Sequence, residues 1–246
     1  MLSKRMEAVV NLVSPQSFTV ADIGCDHAYV SIALIEREIA DRVIAMDVRQ
    51  GPLRIAEGNV KAANLEAKID LRLSDGLEKL MPGEVDTIIM AGMGGLLVKR
   101  ILEQGRNILG VEKPPVLILQ PQSDLTAVRI FLYSIAYHIV QETMLIEDGK
   151  YYTVMRAEPG ADTVQYTRKE WKYGRYNLEQ QDPVLLEFLI KEQRKLLEIK
   201  ESVCSGLSED GKEAGHTEKR LKEVCRELED NRSALKQYYD YELQEG

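Results

Sequence analysis

The residues best suited to chemistry are acids and small residues at the end of an apolar run, Val20-Ala21-Asp22-Ile23-Gly24-Cys25-Asp26-His27-Ala28-Tyr29. The pattern is D-x-G-x-D-x-A. A strand that turns through small residues into a helix offers backbone N–H groups to a ligand past its carboxyl end, and Gly24 and Ala28 leave room for that approach. The dinucleotide fingerprint G-x-G-x-x-G is not met, because Asp26 and Tyr29 stand where its glycines belong. A carboxylate at this turn repels a pyrophosphate. It favours a ligand carrying an ammonium and a sulfonium, the methionine end of S-adenosylmethionine (SAM).

Four further groups could serve the same ligand or a second one. Asp47 follows Gly24 by 23 residues, at the end of a second apolar strand. There it can accept both hydroxyls of a ribose, or cap the helix that starts near Gly51-Pro52. Asp75, in Ser74-Asp75-Gly76, can accept from an adenine amino group or simply form the turn. Ala91-Gly92-Met93-Gly94-Gly95 ends another strand, and three glycines in four residues mean that a flat group or another backbone comes close. The amides of Gln120-Pro121-Gln122 can bond a base edge or cap the following helix. Lys4 and Arg5 lie in the first turn of a helix capped by Ser3, where the dipole prefers acids; they are phosphate contacts or merely solvated.

The elements that must position these groups follow from periodicity. Helices are expected at about residues 3–13, 30–38, 52–64, 96–103 and 125–134, and strands at about 19–23, 42–47, 69–73, 85–91 and 116–119. Residues 138–146 and 151–158 read as a hairpin around Asp148-Gly149. Strands alternating with helices and then a hairpin predict a Rossmann-like α/β sheet, mostly parallel with an antiparallel edge, the arrangement of a class I methyltransferase.

Beyond Pro159-Gly160 the strand runs stop, which divides the chain into 1–160 and 161–246. Leu221, Val224, Leu228, Asn231, Leu235 and Tyr238 recur at spacings of three and four, and Leu186, Leu189, Gln193, Leu196 and Val203 match in part. The two runs, joined by a Gly-containing loop from Ser205 to His216, predict an antiparallel α-helical coiled-coil hairpin with Asn231 near Gln193. Between the parts lies Arg168-Lys169-Glu170-Trp171-Lys172-Tyr173-Gly174-Arg175-Tyr176. Cations alternating with aromatics suit phosphates and stacked bases, or a hinge packed between domains.

Composition narrows the classes. The 246 residues are 44% hydrophobic and 29% charged, as in a soluble globular protein, and no apolar run approaches the length of a membrane helix. The start of the chain lacks a signal-peptide core, so a cytoplasmic protein is expected. Cys25, Cys204 and Cys225 fit neither a disulfide framework nor a metal-ligand spacing. The net charge of −8 does not draw nucleic acid, so any RNA contact needs a local basic patch.

Taken together, Leu2-Ser3-Lys4-Arg5, Asp22 to Tyr29, Asp47-Val48, Ser74-Asp75-Gly76-Leu77, Ala91 to Gly95 and Gln120-Pro121-Gln122 resemble the motifs of the bacterial tRNA (adenine-22-N1)-methyltransferase family, TrmK. The likeness spans residues 1–160; the helical tail matches more weakly and Trp171 to Tyr176 is unmatched. The resemblance implies methyl transfer from SAM to N1 of one tRNA adenine. The residues fit, since the chain shows A-G-M-G-G where an exocyclic-amine enzyme carries N-P-P-Y or D-P-P-Y, and no cysteine nucleophile stands there.

On this reading Asp22, Gly24, Cys25, Asp26, Asp47, Val48, Asp75, Gly76, Ala91, Gly92 and Met93 bind the cofactor. Asp26, His27 and Tyr29 act at the reacting centre. Lys4, Arg5, Gly94, Gly95, Gln120 and Gln122 meet the tRNA, with no metal, no membrane and a monomer favoured. A small-molecule methyltransferase and a non-catalytic scaffold that docks a partner through its helical hairpin are the alternatives.

Overall fold

The computed structural model describes residues 2–15, 17–206 and 214–241. They form two compact units, Met1–Val164 and Gln165–Gly246. The first unit holds the helices α1 (Lys4–Leu12), α2 (Tyr29–Glu36), α3 (Gln50–Ala62), α4 (Gly95–Gln104), α5 (Arg106–Leu109) and α6 (Leu125–Ser134). Its strands are β1 (Ser17–Ile23), β2 (Ala40–Asp47), β3 (Ile69–Leu73), β4 (Thr87–Met93), β5 (Val116–Pro121), β6 (Tyr137–Glu147) and β7 (Lys150–Pro159).

These strands make one sheet in the order β3-β2-β1-β4-β5-β7-β6. The first five run parallel, which requires long crossover connections, helical except for the one from β3 to β4, and cover on both faces. Their sequences therefore read as continuous apolar runs: Val20, Ala21, Val43, Ile44, Ile88, Ile89, Leu117 and Ile118 are fully buried. The hairpin occupies one edge, with β7 antiparallel to β5 and to the outermost strand β6. The sheet order reverses between β1 and β4, where an open α/β sheet leaves a crevice at its carboxyl ends.

Periodicity placed β3 and α6 correctly to the residue, and Ser3 caps α1 by accepting from the Met6 N–H. The strand expected at 85–91 is shifted to Thr87–Met93, so part of the glycine-rich segment is strand rather than loop. Inside the unit, Arg129 of α6 donates to Glu142 of β6 at 2.8 Å with both side chains at most 2% exposed.

The second unit contains α7 (Arg168–Tyr173), α8 (Arg175–Glu179), α9 (Pro183–Gly206) and α10 (Ala214–Tyr239). The long helices α9 and α10 pack antiparallel: Asn231 lies against Leu189, and Leu196 clusters with Val224 and Leu228. One expectation is corrected: Leu185, and not Leu186, is the buried residue at the start of the α9 stripe, while Leu189, Gln193 and Leu196 are buried. Asn231 donates to the Leu189 carbonyl and to Glu192, next to Gln193 in the chain, both at 3.0 Å. The joining loop expected at Ser205 to His216 lies mostly outside the described residues.

The aromatic and basic segment resolves within this unit. Arg168 pairs with Asp230, Lys172 with Glu192, and Arg175 with Glu179, while Trp171 stacks on Tyr166 and Tyr173 is buried. Lys169 donates to Ser233 and Gln237, so all four cations of the segment have partners in the same unit.

Replacing Arg129 leaves the Glu142 carboxylate buried without its guanidinium. Arg129→Met should therefore lose about 3 kcal/mol of stability in urea unfolding; a loss near zero means that Glu142 finds water or a proton at no cost.

Candidate active site

A cavity of about 590 Å³ opens at the carboxyl ends of β1 to β5, within the size range of small-molecule sites. It is lined by Asp22, Gly24, Cys25, Asp26, His27, Tyr29, Asp47, Val48, Asp75, Gly76, Ala91, Gly92, Met93, Gln120, Gln122 and Arg5. The structure thus brings together all the sequence-predicted residues except Lys4, Gly94 and Gly95.

The turn after β1 is shaped by its backbone. The N–H groups of Gly24 and Cys25 both donate to the Met46 carbonyl, at 2.7 and 3.0 Å, folding the chain back over β2. Gly24 has φ +74°, and a Cβ on it would approach Met93 Cε to 2.6 Å. Asp26 and Ala28 also adopt left-handed backbone, with φ of 50° and 60°. For residues with a Cβ this costs of order 1–2 kcal/mol each, and such strain clusters at working sites. Asn59 of α3 donates to the His27 carbonyl at 2.9 Å and fixes the loop from outside.

Asp47 joins this turn to β2. One carboxylate oxygen accepts from the Asp26 N–H at 3.3 Å, the other from the Arg49 N–H at 2.8 Å, and the residue is 5% exposed. It does not cap α3, whose N-cap is Arg49 without a side-chain bond. A carboxylate has about four acceptor positions, so two remain for donors from a ligand. At the end of β3, Ser74 makes the turn's side-chain bonds, to the Gly76 carbonyl and from the Lys79 N–H. Asp75 is left exposed toward the cavity.

Asp22 sits beneath the turn, accepting from the Ser31 hydroxyl at 2.6 Å. Burial pushes its pKa up to about 6, and the neighbouring Asp47 charge adds to the rise. Cys25 is driven well above the ordinary thiol range, by burial first and then by Asp22, Asp47 and Asp26. It is no nucleophile. The His27 ring meets Tyr29 edge-on at 5.9 Å between centroids and lies 3.6 Å from the Asp26 carboxylate. Tyr29 itself presents a half-exposed ring.

The cavity's other wall shows what the residue pattern did not. Arg5 is held by Glu147 at 2.7 Å and lies over the Tyr152 ring, and this pairing keeps the Glu147 carboxyl below its usual range. Arg49, with a side chain 72% exposed, and Arg100, also exposed, complete a set of three arginines around the acids. Met6, Val9, Leu97 and Ile101 add apolar lining.

Lys4 is exposed and does not line the cavity, nor do Gly94 and Gly95. Gly95 is a packing residue: a Cβ there would collide with the Ser123 carbonyl oxygen, so the close neighbour is backbone of the β5–α6 turn. Neither Gln120 nor Gln122 caps α6, whose N-cap is Asp124.

Four carboxylates gathered around the turn after β1 and the ends of β2 and β3 suit a cationic ligand at that part of the cavity. This is the chemistry of SAM. A sequence model of the family TrmK, tRNA (adenine(22)-N(1))-methyltransferase, matches residues 20–230. The chain belongs to this family. It is 40% identical over 166 residues to the tRNA (adenine(22)-N(1))-methyltransferase of Bacillus subtilis (strain 168), covering 67% of this chain and 68% of that one. The crystal structure of the B. subtilis m1A22 tRNA methyltransferase TrmK superposes with a TM-score of 0.83 at 30% identity, over 96% of this chain and 99% of that one. A Streptococcus pneumoniae protein, a putative tRNA (m1A22) methyltransferase in complex with SAM, gives 0.77 at 33% identity, over 93% and 100%. The Rossmann-like fold with C-terminal helices expected of a TrmK chain is the fold found.

Asp22 gives the TrmK turn a pH signature. Between about pH 4 and pH 6 the folded state keeps a proton that the unfolded chain has given up, so stability falls as pH rises through that window. Asp22→Asn, which can still accept from Ser31, removes the effect. The melting temperature of the variant relative to wild type should climb across that interval and level off above it; a flat difference shows that Asp22 ionises normally.

Proposed function

We infer that the chain transfers the methyl group of SAM to N1 of adenine 22 in tRNA. The observation that carries this reading is the TrmK match over residues 20–230, which contains the acid-lined cavity. Asp47 is assigned to the ribose hydroxyls through its two spare acceptor positions. Asp75, Gly76 and Val48 are assigned to the adenine end of the cofactor, and Asp22, Gly24, Cys25, Asp26, Ala91, Gly92 and Met93 to its methionine end. When bound, SAM supplies an electrophilic methyl group on a sulfonium centre.

Adenine N1 carries an in-plane lone pair, so the protein need not deprotonate it before attack. The residues' tasks are alignment and exclusion of water. N1 lies on the Watson–Crick edge, so the base must leave its stack to react, and the half-exposed Tyr29 ring offers it a new one. Methylation makes the adenine cationic, and Asp26 or His27 is assigned to collect the proton then lost from the exocyclic amine. Gln120 and Gln122 are assigned to the base. Arg5, Arg49 and Arg100 are assigned to phosphate, the local basic patch that an acidic chain requires, with Lys4 beside Arg5 on α1. We take residues 1–160 as the catalytic domain and 161–246 as a helical coiled-coil domain of a cytoplasmic monomer.

Incubation with methyl-labelled SAM and bulk tRNA, followed by nucleoside analysis, should yield labelled 1-methyladenosine. Label in another nucleoside or a small molecule, or no transfer, overturns the reading. Asp47→Ala should abolish SAM binding in calorimetry while keeping the fold, and unchanged affinity removes Asp47 from the ribose. Arg100→Ala should weaken tRNA binding and reduce the slope of log affinity against log salt by about 1; an unaltered slope makes Arg100 a bystander.

A further inference from the structure

Strands β4 and β5 pair in register up to Ala91 with Gln120, and then the register slips so that Met93 meets Pro121. Gly92 is the extra residue, with φ +78°, and its N–H has lost its place in the ladder. The Gln120 side chain replaces the missing acceptor: its Oε1 takes the Gly92 N–H at 3.1 Å. This bond fixes which end of the amide is oxygen, since only oxygen can accept there. The other end, Nε2, then carries two N–H donors, in a residue 1% exposed, and has no partner. A buried donor left unpaired loses its hydration with nothing in return, and Gln120 belongs to the cavity lining, so a ligand acceptor in the cavity would complete the arrangement.

Gln120 is on β5, whereas the acids assigned to the cofactor's ribose and adenine end β2 and β3, on the far side of β1 and β4. The amide stands at Gly92, where the cofactor's methionine end meets the target base, and is assigned to the base as above. An adenine offers three ring acceptors. N1 is committed to the methyl group, and N3 lies on the sugar edge, shadowed by the ribose that must lead back out to the RNA. N7 is the acceptor left for a donor on the cavity floor. Resting on the function proposed above, we propose that Gln120 Nε2 donates to N7 of the target adenine, so that one side chain both holds the Gly92 bulge and sets the rotation of the base that presents N1.

The test uses the full-length enzyme and tRNA ligated from halves, with 7-deazaadenosine or 3-deazaadenosine at the methylated position. Wild type should lose about tenfold in kcat/KM on the 7-deaza tRNA, the size of one hydrogen bond, and little on the 3-deaza tRNA. Gln120→Glu keeps the acceptor for Gly92 and removes the donor. It should bind SAM as wild type does, lose at least about tenfold on unmodified tRNA, and lose nothing more when N7 is also absent. Equal wild-type rates on 7-deaza and unmodified tRNA, a loss confined to the 3-deaza tRNA, or losses that simply add in the variant would each overturn the proposal. A wild type inactive on unmodified tRNA instead overturns the proposed function on which it rests.

Discussion

The cavity depends on one carboxylate. Asp47 accepts a backbone N–H from the β1 turn and another from the residue that starts α3, and so locks two loops that would otherwise move independently. The left-handed backbone at Asp26 and Ala28 is held by this bond, by the Ala28 N–H donating to the Cys25 carbonyl at 2.8 Å, by the Asn59 amide on His27, and by the two N–H groups given to Met46. Strain at the turn and charge at Asp47 are therefore two sides of one device. The same acid that orders the empty loop keeps acceptor capacity for a ligand, so binding needs little further rearrangement.

Charge is arranged in layers that the net value conceals. Four aspartates lie in the cavity and three arginines line it with them, in a chain whose total is −8. Burial first, and then the charge of Asp47, raises the pKa of Asp22, and burial together with the neighbouring acids silences the Cys25 thiol. On the assignments proposed above, the acids suit a sulfonium and an ammonium and the arginines a polyanion, each at close range, where screening matters least.

Where periodicity or a turn rule governs, the residues announced the structure: the five parallel strands, the hairpin at Asp148-Gly149 and the acids at strand ends were legible because a buried strand and a turn leave a pattern over several neighbours. Single contacts leave none. Arg49 and Arg100 are isolated exposed cations in sequence, and only the closing of β2 and α4 over one crevice makes them a set with Arg5. The glycine cluster was legible as a close approach, yet its members divide: Gly92 is freed by a bulge, whereas Gly95 yields to the Ser123 carbonyl. Leu185 and Leu186 are equally apolar, so which one faces α10 is decided by helix rotation and not by residue type.

Unmatched polar atoms differ in meaning between the two units. Among the described residues, Asn177, Gln193 and Asn231 each leave a buried side-chain carbonyl without a donor in the helical unit, and Gln120 leaves an N–H₂ without an acceptor in the cavity. A carbonyl oxygen tolerates a missing partner better than a donor does. In the helical unit the compensation is visible: Asn231 gives its amide hydrogens to Leu189 and Glu192, and Glu192 also accepts from Tyr173 and pairs with Lys172. A helix pair slipped by one turn would lose all of these at once, which makes the network a device for register. No such compensation is visible at Gln120, whose buried Nε2 belongs to a residue of the cavity lining and not to a helix pair. The difference in surroundings is why the first group reads as folding specificity and the second as recognition.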